Sequence, residues 1–596
     1  MIPRLPISRF AARTVPALLA HTSARVPGRT FMRFLDPATP GAPPRELTFE
    51  GFRAQVCRAA AWLGARGVRA GDRVLLLAEN APEWQAVAVA TQLLRAEPAA
   101  LFASLGAPQA EEIARRVRPR IVYVSGEAQW SKLAPAAADL AAAGLTAVLA
   151  QAPLPPASVP AGVALAAVPE ALAPGAPALS LAEFEARAAA VGQEDPFLLL
   201  FTSGTTGRQK GVRLPQRTIC HAIDGGAAAV GVGEDDLGLH LLPFGHVAGH
   251  DQWMLALGQG HGLVMIARRE DLPRALTFGP TYLFSVPLVY ERVRQQVLEN
   301  LARQPAPLRR LLTAAIEAAA RRAVDGTRTL RDRALAGLAR RLVGRKLRAA
   351  LGGRVRGLFS GGAPASEALF RFYEGLGLPF VELYGMSETA GLISSNLFHG
   401  RRAPKEAGLV TPDHEIRFSE DGEMLVRGPL LFSGYLDPAD GEGCYTDDGF
   451  FRTGDRARLG DDGLLRVEGR KKHLLVLSTG KKIAPEPVET AIASAQPFQG
   501  AVLLGEGRPF VAAAVFVAKE ELARLAELGK NAAEELLPRA REALEAFSEY
   551  EKPKRLLVIP GAPADHPSLV TPTLKVRREA LLSLLGSEVA ALYGPT

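Results

Sequence analysis

The pattern of apolar and polar positions divides the chain into three regions. Over roughly the first 400 residues, short apolar runs alternate with longer stretches of helical spacing. Residues 52–63 place apolar side chains at helical spacing, and a Gly71-Asp72 turn then feeds the run Val74-Leu75-Leu76-Leu77. Further runs occur at residues 120–124, 198–201, 237–242, 262–266, 281–286, 355–360 and 380–384. Uninterrupted apolar strands alternating with helices predict an α/β fold, with mostly parallel sheets covered by helices on both faces. Ligands of such sheets sit beyond the carboxyl ends of the strands.

From Asp413 the pattern shortens. Residues 414–418 and 424–427 flank Glu420-Asp421-Gly422, and residues 455–459 and 464–467 flank Asp461-Asp462-Gly463. Both are hairpin signals, and they predict a small antiparallel β section. After Gly469-Arg470-Lys471-Lys472 the chain reads as a compact α+β tail. The boundary is placed there, giving a large unit of residues 1–471 and a small, mobile C-terminal unit of residues 472–596. Residues 153–177 are rich in Ala and Pro and read as an irregular surface excursion.

Composition narrows the class. With 596 residues, 48% hydrophobic and 22% charged, the chain is an ordinary multi-unit globular protein. The net charge of +8 is spread over the whole length, and no nucleic-acid motif accompanies it. Cys57, Cys220 and Cys444 are far apart, which fits a reducing compartment and argues against structural zinc. No uninterrupted apolar run reaches the roughly 20 residues of a membrane span. The first 35 residues carry Arg4, Arg9, Arg13, Arg25, Arg29 and Arg33 and no acid. That reads as a transit segment or as the first turn of an arginine-rich domain. The location expected is the cytoplasm, with peripheral membrane contact left open.

Chemistry concentrates after the run at 198–201. Thr202, Ser203, Gly204, Thr205, Thr206 and Gly207 are all small, and Lys210 and Gly211 follow. Small side chains let backbone N–H groups approach an anion, hydroxyls add donors and the lysine adds a point charge. The segment departs from a Walker A loop, because Gln209 precedes the lysine and Gly211 follows it. Two glycines end the run at 355–360, in Gly361-Gly362-Ala363-Pro364, and permit close approach of a flat ligand or a tight turn. Tyr384-Gly385-Met386-Ser387-Glu388-Thr389 follows the next run. It offers a ring, a hydroxyl and a hard oxygen ligand, or a strand end capped by Ser387. Asp455 can accept two hydroxyls of a ribose or hold a turn, Arg470 is a charged donor, and Lys575 lies near the chain end.

In this order and spacing, the segments resemble the core motifs of the adenylate-forming superfamily, which includes acyl-CoA synthetases, luciferases and adenylation domains. The resemblance runs from Thr48 to Arg578, with Gln209 where the family usually has Pro. It implies that residues 202–210 hold the ATP phosphates and that Gly362, Ala363, Pro364 and the segment Tyr384, Gly385, Met386, Ser387 frame the adenine. It further implies that Thr202 and Glu388 help hold Mg²⁺, that Asp455 and Arg470 bind the ribose, and that Lys472 is the hinge. Lys575 then orients the carboxylate and α-phosphate. Residues 469–489, 571–578 and 242–247, and the basic helical insertion at 290–352, look like the long-chain fatty acyl-CoA synthetases. His473, Lys482 and Leu288 depart from that pattern. The activity implied is ATP-dependent conversion of a fatty acid to acyl-AMP and then acyl-CoA. The alternatives are loading of a carrier-protein thiol, or binding of acyl chain and nucleotide without turnover. Lys575, Lys210 and His246 are the catalytic assignments; the residue types alone make His246 an ordinary core histidine, and the motif match makes it a gate or acyl-pocket residue.

Between Arg333 and Arg356 the chain holds eight basic residues and no acid, with Leu335, Leu338, Leu342, Leu347 and Leu351 close to a helical stripe. This reads as a basic amphipathic helix on an anionic bilayer, or as a solvated helix whose leucines pack inward. Expected ligands are the fatty acid, ATP, Mg²⁺ and coenzyme A. No nucleic acid is expected, and a homodimer stays open.

Overall fold

The computed structural model describes residues 4–6, 10, 12–203, 208–400, 402–570 and 576–594, with the backbone alone at Ser203. Gly204, Thr205, Thr206, Gly207 and Lys575 lie outside the described residues.

Two large sheets carry residues up to 410. One has seven strands, in the order Ala164–Ala167, Ala147–Ala150, Ile121–Val124, Arg73–Leu77, Glu97–Leu101, Pro196–Ser203, Gln209–Pro215. All its neighbours are parallel except the last pair. Leu75 and Leu77 face one apolar cluster while Val74 and Leu76 face another. The period-two alternation therefore buries both faces, as the continuous apolar run demands. The second sheet has nine strands, and its central ones, Phe380–Tyr384, Gly357–Ser360, Tyr282–Ser285, Leu237–His240, Gly262–Ile266 and Thr30–Leu35, are parallel. Antiparallel strands close both edges.

The two expected hairpins form one antiparallel sheet, Glu415–Phe418, Glu423–Arg427, Phe451–Leu459 and Leu465–Arg470. The tail builds its own three-stranded sheet from Phe498–Leu504, Ala512–Val517 and Arg555–Pro560. Ala513, Val515 and Val517 face the helices Pro485–Ala493 and Ala532–Glu542, while Ala512, Ala514 and Phe516 face Arg578–Leu584 and Gly586–Ala591.

One expectation needs correction. Residues 153–177 are not wholly irregular: Ala164–Ala167 pairs at the sheet edge, because its small side chains fit a strand that is only half covered. Beyond the expected phosphate loop the described chain resumes with the strand Gln209–Pro215, antiparallel to Pro196–Ser203. The basic stretch is an unbroken helical run whose leucines mostly pack inward, the second of the two readings. It is Leu330–Ala339, a wider turn at Arg340–Gly344 and Arg345–Ala350, with Leu347 and Leu351 buried in the core and Leu342 exposed. Arg340, Arg348 and Arg356 are bonded to the protein itself, so the apolar face that would enter a bilayer is largely used in packing. No helix among the described residues is long and apolar enough to cross a membrane.

Candidate active site

One cleft of about 2590 Å³ is lined by segments from both sheets, the antiparallel section and the tail. The strands Pro196–Ser203 and Gln209–Pro215 bring Thr202 opposite Lys210 in register, at the two ends of the expected phosphate loop. Gly211 is required by packing: a Cβ there would stand 2.8 Å from the Cβ of Leu436. This close approach lets the segment at 433–436 pair along the hairpin edge, with Leu436 N–H donating to the Gly211 carbonyl at 2.7 Å. Tyr435 is thereby fixed between two site residues. Its hydroxyl donates to Glu388 Oε1 at 2.8 Å, and Lys210 Nζ lies 4.8 Å from its ring centroid. Lys210 Nζ also donates to the Asp440 carbonyl at 2.7 Å.

Ser387–Thr389 is a single tight turn entered through Met386, not a helix capped by Ser387. It holds Glu388 only 8% exposed. Glu388 and Thr202 both line the cleft and offer the hard oxygens that suit Mg²⁺. No group of three or more His, Cys, Asp or Glu side chains able to hold a metal exists among the described residues.

Asp455 lies within the strand Phe451–Leu459, not in a turn, and is the register partner of Arg470. Its Oδ1 is 2.7 Å from Arg470 Nε, and its Oδ2 accepts from the Tyr384 hydroxyl at 2.5 Å. Burial, and then the Asp455 charge, hold the Tyr384 hydroxyl well above its usual pKa. Burial alone would lower the Arg470 pKa, and the charges of Asp455 and its neighbours raise it instead. Each carboxylate oxygen keeps a further acceptor site, so the network can still receive hydroxyls. The sequence reading of Tyr384 as a ring alone misses this role of its hydroxyl.

Gly362, with φ +80°, carries the turn after the strand Gly357–Ser360, and Gly361, Gly362, Ala363 and Pro364 line the cleft with Gly385 and Met386. Beside them Glu382 accepts from Ala365 N–H at 3.1 Å, and its Oε2 has no partner among the described residues. Burial raises its carboxyl pKa to about 7. His246 precedes the helix Val247–Gln259 and its Nδ1 accepts from Ala248 N–H at 3.1 Å, which leaves the proton on Nε2. By contrast His240 and His250 are core groups, whose pKa values burial lowers to about 4 and about 3. Lys472 is exposed on the turn Lys471–His473, between Lys471, which pairs with Asp421 and Glu423, and His473, which pairs with Glu486.

The cleft continues past these polar groups along the helices Gln216–Val230 and Val247–Gln259. Ile223, Val230, Val247, Leu255, Phe284 and Phe359 line it there. Tyr435 and Glu382 escaped the sequence reading. The small Ser433-Gly434 pair before an aromatic residue was the available signal for Tyr435. Glu382 carries none beyond a charge in an apolar run.

The sequence profile of AMP-binding enzymes matches residues 19–436, and that of their C-terminal domain matches residues 472–596. The long-chain-fatty-acid–CoA ligase FadD15 of Mycobacterium bovis is 32% identical over 562 residues, covering 90% of this chain and 91% of that one. The human long-chain-fatty-acid–CoA ligase 1 is 27% identical over 441 residues, covering 67% and 61% of the two chains. In fold, the adenylation domain of a carboxylate reductase from Mycobacterium chelonae matches with a TM-score of 0.74 at 21% identity, covering 98% of this chain and 91% of that one. Cleft, profile and relatives agree: the chain belongs to the AMP-binding, adenylate-forming enzymes.

Proposed function

We propose that the protein activates a long-chain fatty acid with ATP to acyl-AMP, then transfers the acyl group to coenzyme A, releasing pyrophosphate and AMP. The observation that carries this reading is one cleft lined at one end by Lys210, Asp455 and Arg470 and continuing into an apolar channel. The name of the bacterial relative, aligned over nearly the whole chain, supports the substrate class.

In this reading the substrate carboxylate is the nucleophile on the α-phosphorus, so the protein needs no nucleophilic side chain of its own. Its task is to position two anions and offset their repulsion. Lys210 exchanges the Asp440 carbonyl for phosphate oxygen. Asp455 and Arg470 hold the ribose, and Tyr384 stacks on adenine while its hydroxyl steadies Asp455. Thr202 and Glu388 would hold Mg²⁺, which would supply charge neutralisation on the phosphates. His246, with its proton on Nε2, gates the channel. Lys575 orients the carboxylate; the flanking Val570 and Val576 line the cleft, which supports this role.

A single tail serves both half-reactions by turning at Lys472. The helix Pro287–Ala302 contacts the tail: Glu291 Oε1 accepts from Ser366 Oγ at 2.7 Å and from Ser494 Oγ at 2.9 Å, Arg294 donates to the Ser494 carbonyl, and Gln295 donates to the Phe498 carbonyl at 3.1 Å. Cys57, Cys220 and Cys444 are all free, in keeping with a reducing cytoplasm.

The test is a panel of acids from short to very long, scored by coenzyme A-dependent AMP release. Lys575→Ala is expected to nearly abolish acyl-AMP formation and to spare thioester formation from pre-made acyl-AMP. Equal loss in both half-reactions refutes the role of Lys575. AMP release indifferent to coenzyme A but dependent on a carrier-protein thiol refutes the acceptor.

A further inference from the structure

Val247, Asp251 and Leu255 stand four residues apart, so they share one face of the helix Val247–Gln259, and all three line the cleft. Valine and leucine suit a hydrocarbon chain. The carboxyl between them does not. Asp251 Oδ1 is buried and has no hydrogen-bond partner among the described residues. Its Oδ2 lies against Gly391, where an added Cβ would stand 2.1 Å from it. The missing side chain at Gly391 is what makes room for this carboxyl.

Neighbouring polar groups are engaged elsewhere. Gln252 donates from Nε2 to the Leu239 carbonyl at 2.9 Å, and its Oε1 faces His240 Nδ1 at 3.1 Å. His250 Nε2 bonds the Phe244 carbonyl at 2.8 Å. Burial pushes the Asp251 pKa well up and so favours the protonated carboxyl, which can both donate and accept. A buried polar group left unpaired costs about 1–3 kcal/mol. Asp251 lines the cleft, so a ligand that fills the channel can supply a partner to its carboxyl.

We propose that Asp251 is a specificity-determining residue of the acyl channel, selecting carboxylic acids that carry a hydroxyl or oxo oxygen on their chain over plain alkanoic acids. The proposal rests on the acid-activating reading above and narrows its substrate class. A plain methylene chain leaves the carboxyl facing hydrocarbon, whereas a chain oxygen can pair with it. A site built to bond a substrate oxygen rejects the analogue lacking it far more strongly than an apolar pocket rejects an added hydroxyl. Asp251 acts on the acyl chain and has no part in holding ATP.

The experiment uses the full chain and acids of one length: the unsubstituted parent, a positional series of hydroxy acids and an oxo acid. Binding of the free acid is followed by titration calorimetry without ATP, and activation by ATP–pyrophosphate exchange. The expected result is at least one oxygenated acid bound tenfold or more tightly than the parent. Asp251→Leu is expected to bring that ratio to one or below by improving the parent. Asp251→Asn, which keeps a neutral donor and acceptor, is expected to retain the preference. A merely structural residue would lower all affinities together and leave the ratio unchanged. Wild-type enzyme that binds the parent as tightly as every oxygenated acid overturns the proposal without recourse to a variant, and so does a preference that survives Asp251→Leu. An intact binding ratio with no exchange for any acid would instead refute the activation reading and leave the role of Asp251 standing.

Discussion

Replacing Tyr435 by Phe removes one hydroxyl and keeps the ring. That hydroxyl donates to Glu388 Oε1 at 2.8 Å, and burial together with the Glu388 charge keeps it protonated across working pH. Glu388 is 8% exposed, so water is a poor substitute for the lost donor. A hydrogen bond to a charged group contributes about 1.5–3 kcal/mol. At about 1.4 kcal/mol per decade of rate, full expression in the transition state lowers kcat/KM roughly 10- to 150-fold. The ring still meets Lys210 Nζ at 4.8 Å, so that contact is retained. The assay is ATP–pyrophosphate exchange at varied Mg²⁺. The half-saturating Mg²⁺ concentration is expected to rise while the KM for the acid stays constant. A Tyr435→Phe, Glu388→Gln double variant is expected to lose little more than Glu388→Gln alone, because the Tyr435 hydroxyl acts through Glu388. Wild-type kcat/KM and Mg²⁺ dependence in Tyr435→Phe would refute the reasoning, as would losses that simply add.

Other perturbations probe separate parts of the cleft. Burial raises the Glu382 carboxyl from 4.5 to about 7, so the folded state holds a proton that the unfolded chain has released. Stability relative to Glu382→Gln is therefore full below about pH 4.5 and falls by roughly 3 kcal/mol as pH rises through 7. Urea denaturation from pH 4 to 8 reads this difference, and a flat one refutes the assignment. A Cβ at Gly226 would meet no atom within 4 Å, and Gly226 lines the channel, so Gly226→Phe should fill it. Each methylene kept from burial costs about 0.8 kcal/mol, so kcat/KM should fall steeply with chain length for long acids and little for short ones. Glu291→Ala removes the acceptor shared by Ser366 and Ser494. Tryptic cleavage at 471–472 is expected to accelerate several-fold with little change in Tm; unchanged cleavage would show that Glu291 does not restrain the tail.

The strands Gly262–Ile266 and Phe380–Tyr384 were legible to the residue, because an apolar run bounded by Gly or Pro has one way to bury both faces. Gln209–Pro215 was not, since Gln209-Lys210-Gly211 opens it with polar and small residues. Its pairing is dictated by the hairpin and by Leu436 packing on Gly211. Ala164–Ala167 was hidden by the prolines around it.

By itself the sequence determined what is local: which runs become strands, where the turns Gly361-Gly362 and Asp461-Asp462-Gly463 fall, and which residue types could meet phosphate, ribose and metal. Tertiary structure alone decided who meets whom. Tyr384 and Asp455, Glu388 and Tyr435, Asp251 and Gly391 lie 71, 47 and 140 positions apart, and no period links them. Their contacts follow from how the parallel sheets, the hairpin and the antiparallel section pack around one cleft. The same packing decided that Leu347 and Leu351 face the core: an amphipathic stripe records that a face will be buried, and only the neighbouring elements say against what.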